Sequence, residues 1–202
     1  MRKYPQISIF FLILEQKCVT KKNKPNFKKK MTSIRAFMIT TPTKGVYKIV
    51  SGGQSGVDRA ALDFAIANGV PYGGWIPRDR MAEDGPLDPR RYSKMAETGE
   101  SDYRKRTAWN VRDSDATVII SGSPVLTGGT ALTAELAREM GKPLLIIDPT
   151  TLEPGKVLSA FMAKRGTRTL NVAGPRASID ETAGPFVKRV LRDAFVQLGV
   201  CR

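Results

Sequence analysis

With 202 residues and 41% hydrophobic content, the chain has room for one α/β domain with a real core and is short for two. Its formal charge of +14 is lopsided: residues 1 to 48 hold twelve Lys and Arg against one acid, Glu15, while the remainder holds twenty-one against eighteen. Basicity confined to one end argues against a nucleic-acid-binding core, which carries its own basic face, and the lack of any histidine excludes a Ser-His-Asp triad, a His-activated cysteine and a His-ligated zinc site.

In chain order, "MRKYPQISIFFLILEQK" begins like a signal peptide, but its apolar run "ISIFFLIL" is short, is ended by Glu15 and is followed by no small-residue cleavage site. It is also too short to span a bilayer. "KKNKPNFKKK" reads as a solvated charge run. Residues 1–44 are therefore expected to be a basic, disordered appendage, or an over-extended start with the initiator at Met31 or Met38; an anchoring arm is the alternative. Residues 45–202 form the domain. Cys18 and Cys201 suit neither a disulfide framework nor a metal cluster, so a reducing, cytoplasmic setting is expected.

From Val46 the pattern alternates strands and helices. "VYKIVS" (46–51) reads as a buried strand, and Val57, Ala60, Ala61, Phe64 and Ala65 recur at helical spacing, with Gly69 as the stop. "VPYGGWIP" (70–77) is a weaker strand, and the polar stretch 78–101 reads as structureless. A helix over 101–114, capped by Ser101 or Asp102, leads to the strand "ATVIIS" (116–121) and the helix "TALTAELAREMGK". The strand "PLLIID", a helix near 154–165, the strand "TLNVAG" and a helix near 184–198 follow. Such alternation predicts an α/β, three-layer αβα fold with a mostly parallel sheet, whose ligand lies at the carboxyl ends of the strands.

Four unusual segments follow strands and so meet at that edge: the glycine loop 52–58, the turn after Ile76, the loop 121–130, and "AGPRAS" (173–178). The first, "SGGQSGVD", has Gly52, Gly53, Gln54, Ser55, Gly56 and Asp58, but neither the G-x-G-x-x-G nor the G-K-[ST] phosphate fingerprint. It is either a ligand loop or a tight turn with Ser55 as the helix cap. The second, "SGSPVLTGGTALT", places Gly128 and Gly129 before a helix with Thr130 and Thr133 in its first turns, which suits an anion. On the 101–114 helix Arg106, Asn110 and Asp113 share a face, with Tyr103 and Thr107 beside them; ligand facing and an ion-paired solvent face are both open. Trp75 is either core or a stacking surface.

The segments "SGGQSGVDRAALDFA", "GGWIPRDRMAEDGPL", "DYRKRTAWNVRDSDATVIIS" and "LTGGTALTAELAREMGKP", with "NVAGPRAS" after them, resemble the putative molybdenum carrier family over roughly residues 46–200. The resemblance implies a Rossmann-like fold, of the superfamily that includes the lysine-decarboxylase-like phosphoribohydrolases. It implies a homo-oligomer, often a tetramer, that binds the molybdenum cofactor or a related anionic small molecule without turnover, with molybdoenzymes as recipients; the charge distribution and the short apolar run lead to no nucleic-acid or membrane partner being expected. Carried over by motif, the cofactor-binding positions are Gly52, Gly53, Gln54, Ser55, Gly56, Asp58, Arg106, Thr107, Asn110, Ser121, Gly128, Gly129, Thr130 and Thr133. Catalytic residues and protein metal ligands are not expected, because the pterin dithiolene holds the molybdenum. The two glycine-lined helix starts would take the phosphate and the oxo-anion, and Asp58 the donor edge of the pterin.

Two other readings compete. A nucleoside-monophosphate phosphoribohydrolase would use Glu135, which stands where that family's P-G-G-x-G-T-x-x-E loop has its acid, although Ala131 departs from the pattern. A nucleotide-sensing module would bind single strands in a salt-dependent way.

Overall fold

The computed structural model describes residues 47–99 and 101–201. The predicted appendage over 1–44 lies outside them, as does Cys18. The chain forms β1 (Lys48–Val50), α1 (Val57–Ala67), β2 (Tyr72–Ile76), the short strands β3 (Met81–Ala82) and β4 (Gly85–Pro86), β5 (Met95–Glu97) and α2 (Tyr103–Arg112). After these come β6 (Ala116–Ile120), α3 (Gly128–Glu139), β7 (Leu144–Ile147), α4 (Pro154–Arg165), β8 (Thr169–Ala173) and α5 (Ala183–Gln197).

Six strands make one parallel sheet in the order β5-β2-β1-β8-β6-β7. β6, "ATVII", is buried along its whole length, as a central parallel strand covered on both faces must be. The apolar stripe of α1 (Val57, Ala60, Ala61, Phe64, Ala65) and that of α5 (Val187, Val190, Leu191, Ala194) join one core cluster with the sheet, and α4 adds Leu158 and Met162. Phe195 is fully buried there, meeting Tyr47 and Phe64 edge to face at 5.9 and 5.6 Å. Burying side chains of this size stabilises the fold by about 1.5–3 kcal/mol each, far more than helix propensity does. A separate cluster joins α2 and α3 through Val111, Leu136 and Ala137. The result is the expected three-layer, Rossmann-like αβα fold.

The polar stretch 78–101 is structured, contrary to expectation. Arg78–Arg80 makes one 3-10 turn, β3 and β4 pair as an antiparallel hairpin, and β5 extends the main sheet beside β2. Of β5 only Met95 is buried, so no apolar periodicity marks it as a strand. Leu87, Tyr92 and Met95 instead pack under Leu62 and Ile76 as a small core of their own. Asp79 and Arg80 have φ of 59° and 57°. The Arg80 guanidinium donates to the carbonyls of Leu87 (2.9 Å) and Tyr92 (3.0 Å), which ties the turn down.

The position of β8 sets up the site. The last strand inserts between β1 and β6, with Leu170 opposite both Ile49 and Ala116. Strand order therefore reverses near the sheet's middle, and the loops after β1, β6 and β8 leave the carboxyl edge side by side. Doubly wound sheets open their ligand crevice at such a reversal.

Candidate functional site

A cavity of about 370 Å³ lies at this reversal, toward the small end of ligand pockets, which run from ~300 to 1,000 Å³. One wall is the β1–α1 loop, with Gly52, Gln54 and Asp58, and α2 contributes Tyr103, Arg106, Thr107 and Asn110. The start of α3 (Thr127 to Thr133) faces Asn171 at the end of β8 and the loop that follows it, through Arg176 to Ile179.

The start of α3 has the character of an anion site. Thr127 precedes the helix and makes no side-chain cap. No protein acceptor among the described residues takes the amides of Gly128 and Gly129. A Cβ built on either glycine would meet nothing within 4 Å, so both face open space. Free N–H groups at the positive end of a twelve-residue helix attract negative charge. Thr130 is only 8% exposed, yet its hydroxyl has no partner among the described residues.

Opposite stands a buried ion pair. Arg106 Nη1 donates to the Gly52 carbonyl at 2.7 Å and lies 3.5 Å from the Asp58 carboxylate, which also accepts from the Gln54 amide at 3.3 Å. Burial pushes the Asp58 carboxyl above its usual range, and Arg106 pulls it only part of the way back. Arg106 also lines the cavity, while its Nε is buried out of reach of solvent and has no partner among the described residues. Gly52 makes this docking possible, because a Cβ there would fall 2.0 Å from Arg106 Nη1 and 2.8 Å from the Asp58 carboxylate.

Of the fourteen positions carried over by motif, Gly52, Gln54, Asp58, Arg106, Thr107, Asn110, Gly128, Gly129, Thr130 and Thr133 line this cavity. Three of these spend their polar groups within the protein. Asn110 accepts from the Trp75 amide (2.8 Å) and donates to the Trp75 carbonyl (2.9 Å), fastening α2 to β2. Thr107 donates to the Tyr103 carbonyl and Thr133 to that of Gly129. Ser121 lines a neighbouring cavity of about 360 Å³.

The other three sit in the packing around the loop. At Gly53, φ 73°, a Cβ would press on Ile76 at 2.9 Å; at Gly56, φ 74°, it would meet the Pro175 carbonyl at 2.6 Å. Ser55 does not cap α1, whose N-cap is Gly56. Its hydroxyl donates to Glu83 and accepts from the Ala177 amide at 3.0 Å. Trp75, outside the cavity, stacks edge-on against Trp109 at 4.7 Å and donates to Asp113 at 2.7 Å.

Glu83, on the β3–β4 hairpin, belongs to the charged 75–91 segment that follows β2, but the part it plays was not foreseen. Its carboxylate accepts from Ser55, from the Ser178 amide (3.2 Å) and hydroxyl (2.6 Å), and stands 3.6 Å from Arg176. Its own amide donates to Gln54 Oε1 at 2.7 Å. The hairpin thus ties the β1–α1 loop to the 173–178 loop, and these hydrogen bonds hold the Glu83 carboxyl below its ordinary range. Asn171 was also unforeseen, though a lone amide inside the apolar run "TLNVA" was its signal. It is 2% exposed and donates to Thr117 Oγ1 at 3.2 Å.

Glu135 is exposed and contributes nothing to either cavity. Among the described residues no group of three or more His, Cys, Asp or Glu is placed to hold a metal, and no helix is long and apolar enough to cross a membrane.

Residues 49–195 match the circularly permutated YpsA SLOG family. The chain is also similar to a solved structure described as a putative molybdenum carrier protein from Syntrophus aciditrophicus SB: 42% identical, TM-score 0.70, covering 74% of this chain and 95% of that one. No curated protein matches. A match across most of the domain, with close likeness in both sequence and fold, shows that the chain belongs to the circularly permutated YpsA SLOG family, in the branch of the putative molybdenum carrier proteins.

Proposed function

We propose that this protein binds the molybdenum cofactor, a pterin carrying a phosphate and a dithiolene-bound oxo-metal, as cargo at the carboxyl edge of its sheet. One observation supports this above the others. The uncapped start of α3, with its open glycines and unpartnered Thr130, faces the buried Arg106–Asp58 pair across a single cavity. Two cationic features on facing walls suit a ligand with separated negative groups.

The donor set fits such cargo. Gly128, Gly129 and Thr130 would hold one anionic group and Arg106 the other. Asp58 and Asn171 offer hydrogen bonds of both senses to the amide and amino edges of a pterin. The metal arrives held by its own sulfur ligands, so the protein has only to enclose it. The name of the 42%-identical relative points the same way. Assembly into a homo-oligomer, a cytoplasmic location and hand-over to molybdoenzymes belong to the same proposal. The phosphoribohydrolase reading loses support, because Glu135 lies outside the cavity where a glycosidic bond would be cleaved.

The test is to purify the full chain from a cofactor-producing host and assay it for molybdenum and for the fluorescent oxidised pterin, beside Gly129→Asp and Arg106→Gln. Metal and pterin near one per chain, lost in both variants, support the proposal. Wild type that carries neither and ignores added cofactor refutes it.

A further inference from the structure

The second cavity, about 360 Å³, is close in size to the first and shares Thr127, Thr130, Pro175 and Ile179 with it. The two are lobes of one cleft, with the start of α3 between them. Their chemistry differs. The first lobe has Arg106 and Arg176; the second has one charged residue, Asp180, and no Lys or Arg. Asp180 is fixed in place, accepting from the Gly122 amide at 3.1 Å and from the Thr182 amide and hydroxyl at 3.0 and 2.7 Å. The hydroxyls of Ser121 and Ser123 accept from backbone amides at 3.2 and 3.1 Å, which leaves their own protons free to donate. Val125 and Ile179, 69% and 59% exposed, give this lobe an apolar rim.

A lobe with hydroxyls, a carboxylate and no cation repels a second anion and suits a neutral, hydroxyl-bearing group. The uncapped start of α3 lies where the two lobes meet: Thr127 and Thr130 line both, and the Thr130 hydroxyl has no partner among the described residues. We propose that the cleft takes a two-part ligand joined through a phosphate or pyrophosphate. The linker sits on the start of α3, a flat ring system fills the first lobe, and a ribose-like group fills the second. This rests on the anionic-ligand reading above and extends it from a terminal phosphate to a bridging one. Two sources share that chemistry: a nucleotide-extended form of the pterin cofactor, and a plain dinucleotide.

Calorimetric titration of the full chain with two matched pairs separates them: molybdenum cofactor against its GMP-extended form, and AMP against ADP-ribose. Ser123→Trp, an exposed position in the second lobe, serves as the blocking variant, with circular dichroism to confirm its fold. In at least one pair the extended member is expected to bind tenfold or more tightly, and Ser123→Trp to reduce that advantage to under threefold while the short member keeps its affinity. Extension of the cofactor pair supports both readings. Extension of the AMP pair alone, with no binding of either cofactor form, sinks the carrier reading and keeps the two-part site. Overturning the two-part site takes equal affinity within both pairs, no binding at all, or an advantage untouched by Ser123→Trp. Equal affinity within a binding cofactor pair leaves the carrier reading standing.

Discussion

The two glycine-rich loops look alike in sequence and are opposite in the folded protein. In the β1–α1 loop every glycine is hemmed in: a Cβ at Gly52, Gly53 or Gly56 would come within 2.0, 2.9 or 2.6 Å of a neighbour. At Gly128 and Gly129 a Cβ would meet nothing within 4 Å. Glycine serves packing in the first loop and leaves room in the second. Sequence spacing cannot tell these uses apart, because what differs is the surroundings.

Substitution should separate the two uses. The largest effect is expected at Gly56→Ala, where a positive φ of 74° and a backbone carbonyl at 2.6 Å act together. Strain and overpacking of this kind cost about 3 kcal/mol, or ~10 °C in melting temperature for a domain of this size. Urea unfolding measures it, and a loss under about 1 kcal/mol would erase the contrast between the loops. Gly129→Ala should do the reverse. Stability holds or rises by about 0.5 kcal/mol, since alanine favours a helix, while affinity for the anionic ligand falls about tenfold, or ~1.4 kcal/mol. Unchanged affinity would move the anion away from α3.

Asp58→Asn probes the packed loop's one buried acid. Because burial raises the Asp58 carboxyl, its contribution to stability is complete at pH below its ordinary value and is lost as pH rises through the folded one. The variant should therefore melt above wild type at pH 8, by a few degrees, and the gap should close toward pH 4. A variant that melts lower at pH 8 would show that pairing with Arg106 outweighs burial. The smallest effect belongs to Glu83→Gln. A lowered carboxyl stabilises above its ordinary value of 4.5 and ceases to as pH falls below it. Wild type should lose melting temperature between pH 5 and 3 more steeply than the variant, and equal slopes would detach the hairpin from the loops it bridges.

The regular elements were legible because their signals are local. The stripe of α1, the β-branched run of β6, the Asp102 cap, which accepts from the Arg104 amide at 2.8 Å, and the stop at Gly69 all depend on neighbours in sequence. β5 and the β3–β4 hairpin were not, since a three-residue edge strand with one buried side chain leaves no period to detect. For the cavity, helix spacing put Arg106 and Asn110 on one face but could not say that Asn110 would bind the backbone of Trp75 while Arg106 paired with Asp58 across the β1–α1 loop. Glu83 was hidden for a similar reason: its partners Ser55 and Ser178 lie 28 and 95 residues away.

The place of β8 has a consequence in time. β8 is the last strand formed, yet it stands between β1 and β6, and Ser51 reaches 121 residues along the chain to donate to the Val172 carbonyl at 2.8 Å. A chain emerging from the ribosome therefore holds the glycine loop, Arg106 and the start of α3 long before they can face one another. Until residues 169–173 slide into the gap, the sheet is two unjoined halves with exposed strand edges. Such long-range closure is slow to form. Any ligand of this cleft can thus be taken up only once residues 169–173 have been made and are in place.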